Sequence, residues 1–189
     1  MTIIDAHTHL GTHPTQPGTP EEMMAEIRTC GVCGMQFCPM AGTMAHSADD
    51  LRRGNREALE LYDRHPELLY PGAALHPAYL EESLRALDAF TERKLVWVGE
   101  VLSYHCQIPF DDVRWMELFR VCAERGLIVQ MHNAPEVAKV AAAFPALTVV
   151  GCHLNPEVLP LLADLPNVMI DISGLHGGLC RGTLPKARA

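Results

Sequence analysis

Short apolar runs alternate along this chain with longer stretches in which apolar residues recur every three or four positions. The first run, Ile3-Ile4-Asp5-Ala6-His7-Thr8-His9-Leu10, reads as a strand. A loop rich in Pro, Gly and Thr, Gly11 to Thr19, leads to a helix start where Thr19 is the cap, Pro20 the first helical residue and Glu22 the third, predicting a helix to about Gly31. Val32 to Phe37 is a second strand, and Ser47 caps a helix from Ala48 to about Arg64. Tyr70 to Leu75, ending in His76-Pro77, is the third strand. A helix from about Tyr79 to Thr91 and a fourth strand, Leu95 to Val101, follow. A helix from about Asp112 to Arg125, stopped by Gly126, precedes the fifth strand, Leu127 to His132. Asn133-Ala134-Pro135-Glu136 reads as a capping box for the next helix, Leu147 to His153 as the sixth strand, Asn155-Pro156 as the cap of a helix to about Leu165, and Val168 to Ser173 as the seventh strand.

Largely apolar strands separated by amphipathic helices imply a parallel sheet covered on both faces, because each return to the sheet needs a helical crossover. No glycine-rich phosphate-binding motif follows any strand, so an open nucleotide-binding sheet has no support. Polar residues close the first, fourth, fifth and sixth strands, and those ends share one mouth only in a β/α barrel of the TIM type. The expectation is one domain over residues 1–189, with about seven parallel strands.

Alternation along a strand puts His7 and His9 on one face, with Asp5 one step deeper. Two imidazoles on one rigid strand end suit two ligands of a single divalent ion. A net charge of −8 argues against a nucleic-acid or membrane surface. No apolar segment reaches the roughly 20 residues of a membrane span and no signal-peptide pattern opens the chain, so a cytoplasmic protein is expected. Seven cysteines without regular spacing read as reduced thiols. The Cys30-Gly31-Val32-Cys33 pair straddles a helix end and the next strand, and no second pair follows at zinc-ribbon spacing.

Five segments together resemble the successive strand-end motifs of the amidohydrolase superfamily, closest to its "amidohydrolase 2" branch of metal-dependent hydrolases and decarboxylases: Asp5-Ala6-His7-Thr8-His9, Gly99-Glu100, Met131-His132-Asn133-Ala134-Pro135, Gly151-Cys152-His153-Leu154 and Asn167-Val168-Met169-Ile170-Asp171-Ile172-Ser173-Gly174. Gly99-Glu100 and Leu75-His76-Pro77 are also similar to the TatD-type deoxyribonucleases of that superfamily. The resemblance implies a metal-dependent β/α barrel with His7, His9, His132 and His153 as metal ligands and Glu100 as a bridge between two ions. A carbamylated lysine bridge is not expected, since Lys94 lies at the wrong end of the fourth strand. His76 and His105 are expected to line the pocket, and His13, His46 and His65 to be solvated.

Members of the family continue to an eighth strand whose aspartate binds metal and takes a proton from the attacking water. Here only Gly174 to Ala189 follow the seventh strand, so the expectation is a barrel without its eighth strand and a homo-oligomer formed through its open edges. Asp171, with His153, is then the candidate to serve as base. The function expected is hydrolysis of a small ester, lactone or amide with one or two divalent ions, most simply zinc. Metal-dependent decarboxylation, phosphodiester cleavage and a catalytically inactive metal-binding remnant stand as alternatives.

Overall fold

The structure, a computed structural model, describes residues 3–11, 19–153 and 155–174. His13, most of the Pro-rich loop and the stretch after Gly174 lie outside the described residues. In chain order the elements are β1 (Ile3–Leu10), α1 (Pro20–Thr29), β2 (Val32–Pro39), α2 (Met40–Thr43), α3 (Ala48–Arg64), β3 (Leu69–Ala73), α4 (Leu80–Glu92), β4 (Trp97–Val101), α5 (Ser103–Cys106), α6 (Val113–Glu124), β5 (Ile128–Met131), α7 (Glu136–Ala143), β6 (Thr148–Gly151), α8 (Leu159–Leu162) and β7 (Val168–Ile170). Among the described residues seven strands form one parallel sheet in the order of the sequence. All strands therefore end on the same side, as a TIM-type barrel requires.

Local chemistry accounts for the elements. The Thr19 hydroxyl accepts the Glu22 N–H at 3.2 Å while the Glu22 carboxylate accepts the Thr19 N–H at 2.8 Å, closing the capping box at α1. Ser47 caps α3 by accepting the Asp50 N–H at 3.1 Å. The buried residues of α3, Leu51, Gly54, Asn55, Ala58 and Leu61, recur at helical spacing, so one face packs inward. From that face Asn55 donates to the Ala74 carbonyl at 3.0 Å and accepts the Ala74 N–H at 2.8 Å, which fixes the chain just before His76.

Two expected helix starts shift. Asn133 does not cap α7, because its amide donates instead to the His153 carbonyl at 3.0 Å, and Pro135 takes the N-cap position without a side-chain bond. Asn155 accepts the Glu157 N–H at 2.9 Å in a turn, which delays α8 to Leu159. The one-turn helices α2 and α5 are too short to show in a hydrophobic pattern.

At Gly54 helices α2 and α3 approach closely. A Cβ built there would collide with the backbone of Gly42 in α2. Glycine inside a helix otherwise costs stability, so its place here is explained by the close approach. Gly54→Ala should therefore destabilise the fold by about 1–3 kcal/mol, the usual cost of overpacking. Urea unfolding monitored by circular dichroism checks this, and an unchanged or raised midpoint would show that α2 gives way freely.

Among the described residues the sheet curls without closing, and β1 and β7 each pair with only one neighbouring strand. A cleft of about 580 Å³ lies along this seam, lined in part by Ile3, Ile4, Met169, Ile170 and Ile172. Ile4, Met169 and Ile172 are more than half exposed there. At the strand C-termini the seam is drawn together, because the His7 ring donates to Asp171 at 2.7 Å. Across the interior, the buried Gln130 amide donates to the Ala6 carbonyl at 2.7 Å and ties β5 to β1.

Candidate metal centre

The sequence-predicted residues converge on Glu100. Glycine at position 99 makes this possible: its φ is +96°, and a Cβ there would run into the Gln130 carbonyl. Glu100 itself is 3 % exposed. Its Oε2 lies 3.3 Å from His7 Nε2 and 3.5 Å from His9 Nε2, both from β1. Its Oε1 lies 2.8 Å from His132 Nδ1, just past β5, and 3.3 Å from His153 Nε2, past β6. One buried carboxylate thus joins two ligand groups, His7 with His9 and His132 with His153.

Asp5 stays outside the cluster. Its carboxylate turns back on β1, accepting the His7 N–H at 3.0 Å and the Thr8 hydroxyl at 2.9 Å, beside a register shift against β2. Below Glu100 the interior is closed by Cys38, which accepts the Glu100 N–H and donates to the Gln130 side chain at 3.6 Å. Burial pushes the Cys38 thiol well above its ordinary range, so it stays protonated.

Burial disfavours an ionised Glu100, yet hydrogen bonds from His132, His153, His7 and His9 outweigh it and hold the carboxyl far below the usual range. Burial likewise opposes charge on His7, but hydrogen bonds to Asp171 and Glu100 raise it to about 9. Glu100 raises His153 as well. The cluster thus balances buried negative charge with protons on imidazole. A divalent cation fits the same place: His7 Nε2 and His9 Nε2 face each other at 3.3 Å, a close approach of two donor atoms that share a charge partner in Glu100. Imidazole with carboxylate suits zinc, manganese and similar ions.

This arrangement has a pH signature. Because the folded His7 pKa of about 9 lies above the ordinary imidazole value of about 6.5, its contribution to stability is fully present below about 6.5 and is lost as pH rises through about 9. Metal must displace that proton, so binding tightens over the same window. The melting temperature of metal-free protein should fall between pH 6.5 and 9, while the increment gained on adding zinc grows. A zinc increment independent of pH would contradict a protonated His7.

Asp171 sits on the other side of His7, at Nδ1, rather than facing Glu100. Ser173, which the sequence reading missed, touches Asp171, His7 and His153 at 2.5, 3.0 and 2.9 Å. The only signal for it was its spacing of two from Asp171 at a strand end. A second histidine group lies at the same mouth, after β2, β3 and β4. His46 is exposed, as expected, but its ring contacts His105 at 4.8 Å between centroids, and His76 packs on Tyr79 at 4.6 Å. Burial, with repulsion from His105 and His46, lowers His76 to about 4, so it is neutral near pH 7. Lys94 precedes β4, at the end opposite Glu100.

Comparison with known proteins identifies the fold and the family. The structure is similar to an uncharacterised TIM-barrel protein from Bordetella bronchiseptica, with a TM-score of 0.70 at 16 % identity over 96 % of this chain and 81 % of that one. It is similar to 2,6-dihydroxybenzoate decarboxylase from Rhizobium, with a TM-score of 0.67 at 14 % identity over 92 % and 80 %. It also resembles 5-carboxyvanillate decarboxylase from Novosphingobium aromaticivorans, crystallised with manganese, with a TM-score of 0.66 at 13 % identity over 98 % and 72 %. No curated protein matches the sequence. At these identities the structures establish the TIM-barrel fold. The amidohydrolase family model matches residues 4–188, nearly the whole chain, and the protein therefore belongs to the amidohydrolase family.

Proposed function

We propose that this protein is a metal-dependent hydrolase of a small organic ester, lactone or amide. The observation that carries this reading is the convergence of His7, His9, His132 and His153 on the buried Glu100 at the strand C-termini. A divalent ion held there supplies Lewis acidity, acidifying water and polarising a carbonyl. The chain's own part is to hold the imidazoles rigidly on strand ends and to present one buried carboxylate to both ligand pairs, with Cys38 closing the floor beneath it. The wall of His46, His76, His105, Tyr79 and Tyr104 offers hydrogen-bonding and planar surfaces around the mouth.

Decarboxylation of a small carboxylic acid is the second reading. One observation favours it: Asp171, the expected base, already receives hydrogen bonds from His7, His153 and Ser173. Positioned general-base catalysis typically contributes roughly 10²–10⁴-fold, so hydrolysis without it should be slow. The two readings separate in one experiment. Zinc- and manganese-loaded protein is assayed against ester, lactone and amide panels and, in parallel, for carbon dioxide release from aromatic and aliphatic carboxylic acids. The proposal expects metal-dependent hydrolysis that a chelator abolishes. Metal-dependent carbon dioxide release without hydrolysis would replace it with the second reading.

A further inference from the structure

The side chains that follow β7 form a connected set whose hydrogen bonds can be assigned atom by atom. A carboxylate only accepts, so the His7 ring must donate from Nδ1 to Asp171 Oδ2 at 2.7 Å. Asp171 Oδ1 accepts three donors: the His153 N–H at 3.0 Å, the Ser173 N–H at 3.0 Å and the Ser173 hydroxyl at 2.5 Å. Four donors therefore meet this carboxylate, three of them crowded on Oδ1 and one on Oδ2. The Ser173 hydroxyl proton is thereby committed to Asp171. Its oxygen can then only accept from His153 Nδ1, at 2.9 Å, and the Ser173 carbonyl stands 3.2 Å from the same nitrogen as a further acceptor. His153 must therefore carry its proton on Nδ1 as well.

The consequence reaches both ligand pairs. With Nδ1 protonated on His7 and on His153, each ring keeps the lone pair of its neutral form on Nε2, the atom each turns toward Glu100. His153 has a backbone φ of +60°, uncommon for a residue with a side chain. It is held there by its N–H on Asp171 and by its carbonyl, which accepts from Asn133. One short segment thus sets the tautomer and direction of one ring in each pair.

We infer that Asp171 and Ser173 are positioning residues that lock His7 and His153 as Nε2 metal donors, and that Asp171 does not serve as the base that activates water. This rests on reading the histidine cluster as a metal centre. Outer partners of this kind typically change metal affinity 10–100-fold when removed.

The test uses the full chain, zinc alone as probe, and two readouts. Zinc affinity is measured by competition with a chromogenic chelator, and ring tautomers are measured by nitrogen-15 NMR on metal-free protein in alkaline solution, where the imidazoles are neutral. Ser173→Ala should weaken zinc 10–100-fold and shift the His153 ring away from its Nδ1–H form. Ser173→Thr, which keeps the hydroxyl, should restore both. Asp171→Asn should weaken zinc to a similar extent and disturb the His7 tautomer. Zinc affinity and tautomers unchanged in Ser173→Ala and Asp171→Asn would overturn the inference, as would an Nε2–H tautomer for both rings in the unsubstituted protein. If that protein failed to bind zinc while its rings showed Nδ1–H, the metal reading would fall and the tautomer lock would stand.

Discussion

Glu100→Gln should cost more than any other single substitution at the site. The carboxylate is buried and faces four imidazoles, so glutamine removes the charge that both ligand pairs share while filling nearly the same space. Removing one partner of a buried ion pair costs roughly 3–5 kcal/mol. Carried into zinc binding, that is a loss of roughly 10²–10⁴-fold. The His7 pKa should also drop from about 9, because Asp171 alone then supports the imidazolium. Isothermal titration with zinc and an NMR titration of His7 measure the two effects. A variant that binds zinc as tightly as the parent would place the ion away from Glu100.

The joint replacement of His7 and His9 by alanine should abolish zinc binding altogether. Both rings leave the same strand end, and the remaining pair, His132 and His153, meets the other carboxylate oxygen of Glu100. In the unsubstituted protein, zinc at a hundredfold excess over its Kd adds about 2.7 kcal/mol of stability by mass action. That increment, read as a rise in melting temperature, should vanish in the double variant. A persisting rise would mean that His132 and His153 hold the ion without β1.

Much of this was legible in the residues because strand geometry has a short period. His7 and His9 could be put on one face from spacing alone, and the alternation of apolar runs with helical stretches fixed a parallel sheet in sequence order. Glu100, His132 and His153 were singled out by the family resemblance, and they meet because parallel strands bring their C-terminal ends together, whatever their separation along the chain. Ser173 stayed hidden because a serine two residues from an aspartate is common, and its partner His7 lies 166 positions away. Asn133 misled because asparagine can cap a helix or bond a distant carbonyl equally well, and only the position of His153 decides between them. His46 was read as solvated since nothing local shows that the turn after β2 brings it against His105. The orientation of Asp171 was out of reach for a different reason: the side of an imidazole that a carboxylate meets is set by both backbones together.

The central claim is that the histidines around Glu100 hold a divalent ion. Elemental analysis by plasma mass spectrometry tests it most directly, on protein incubated with zinc or manganese and then dialysed against metal-free buffer. About one ion per chain is expected in the unsubstituted protein, and background levels in the His7→Ala, His9→Ala double variant. Unsubstituted protein that retains neither metal would contradict it.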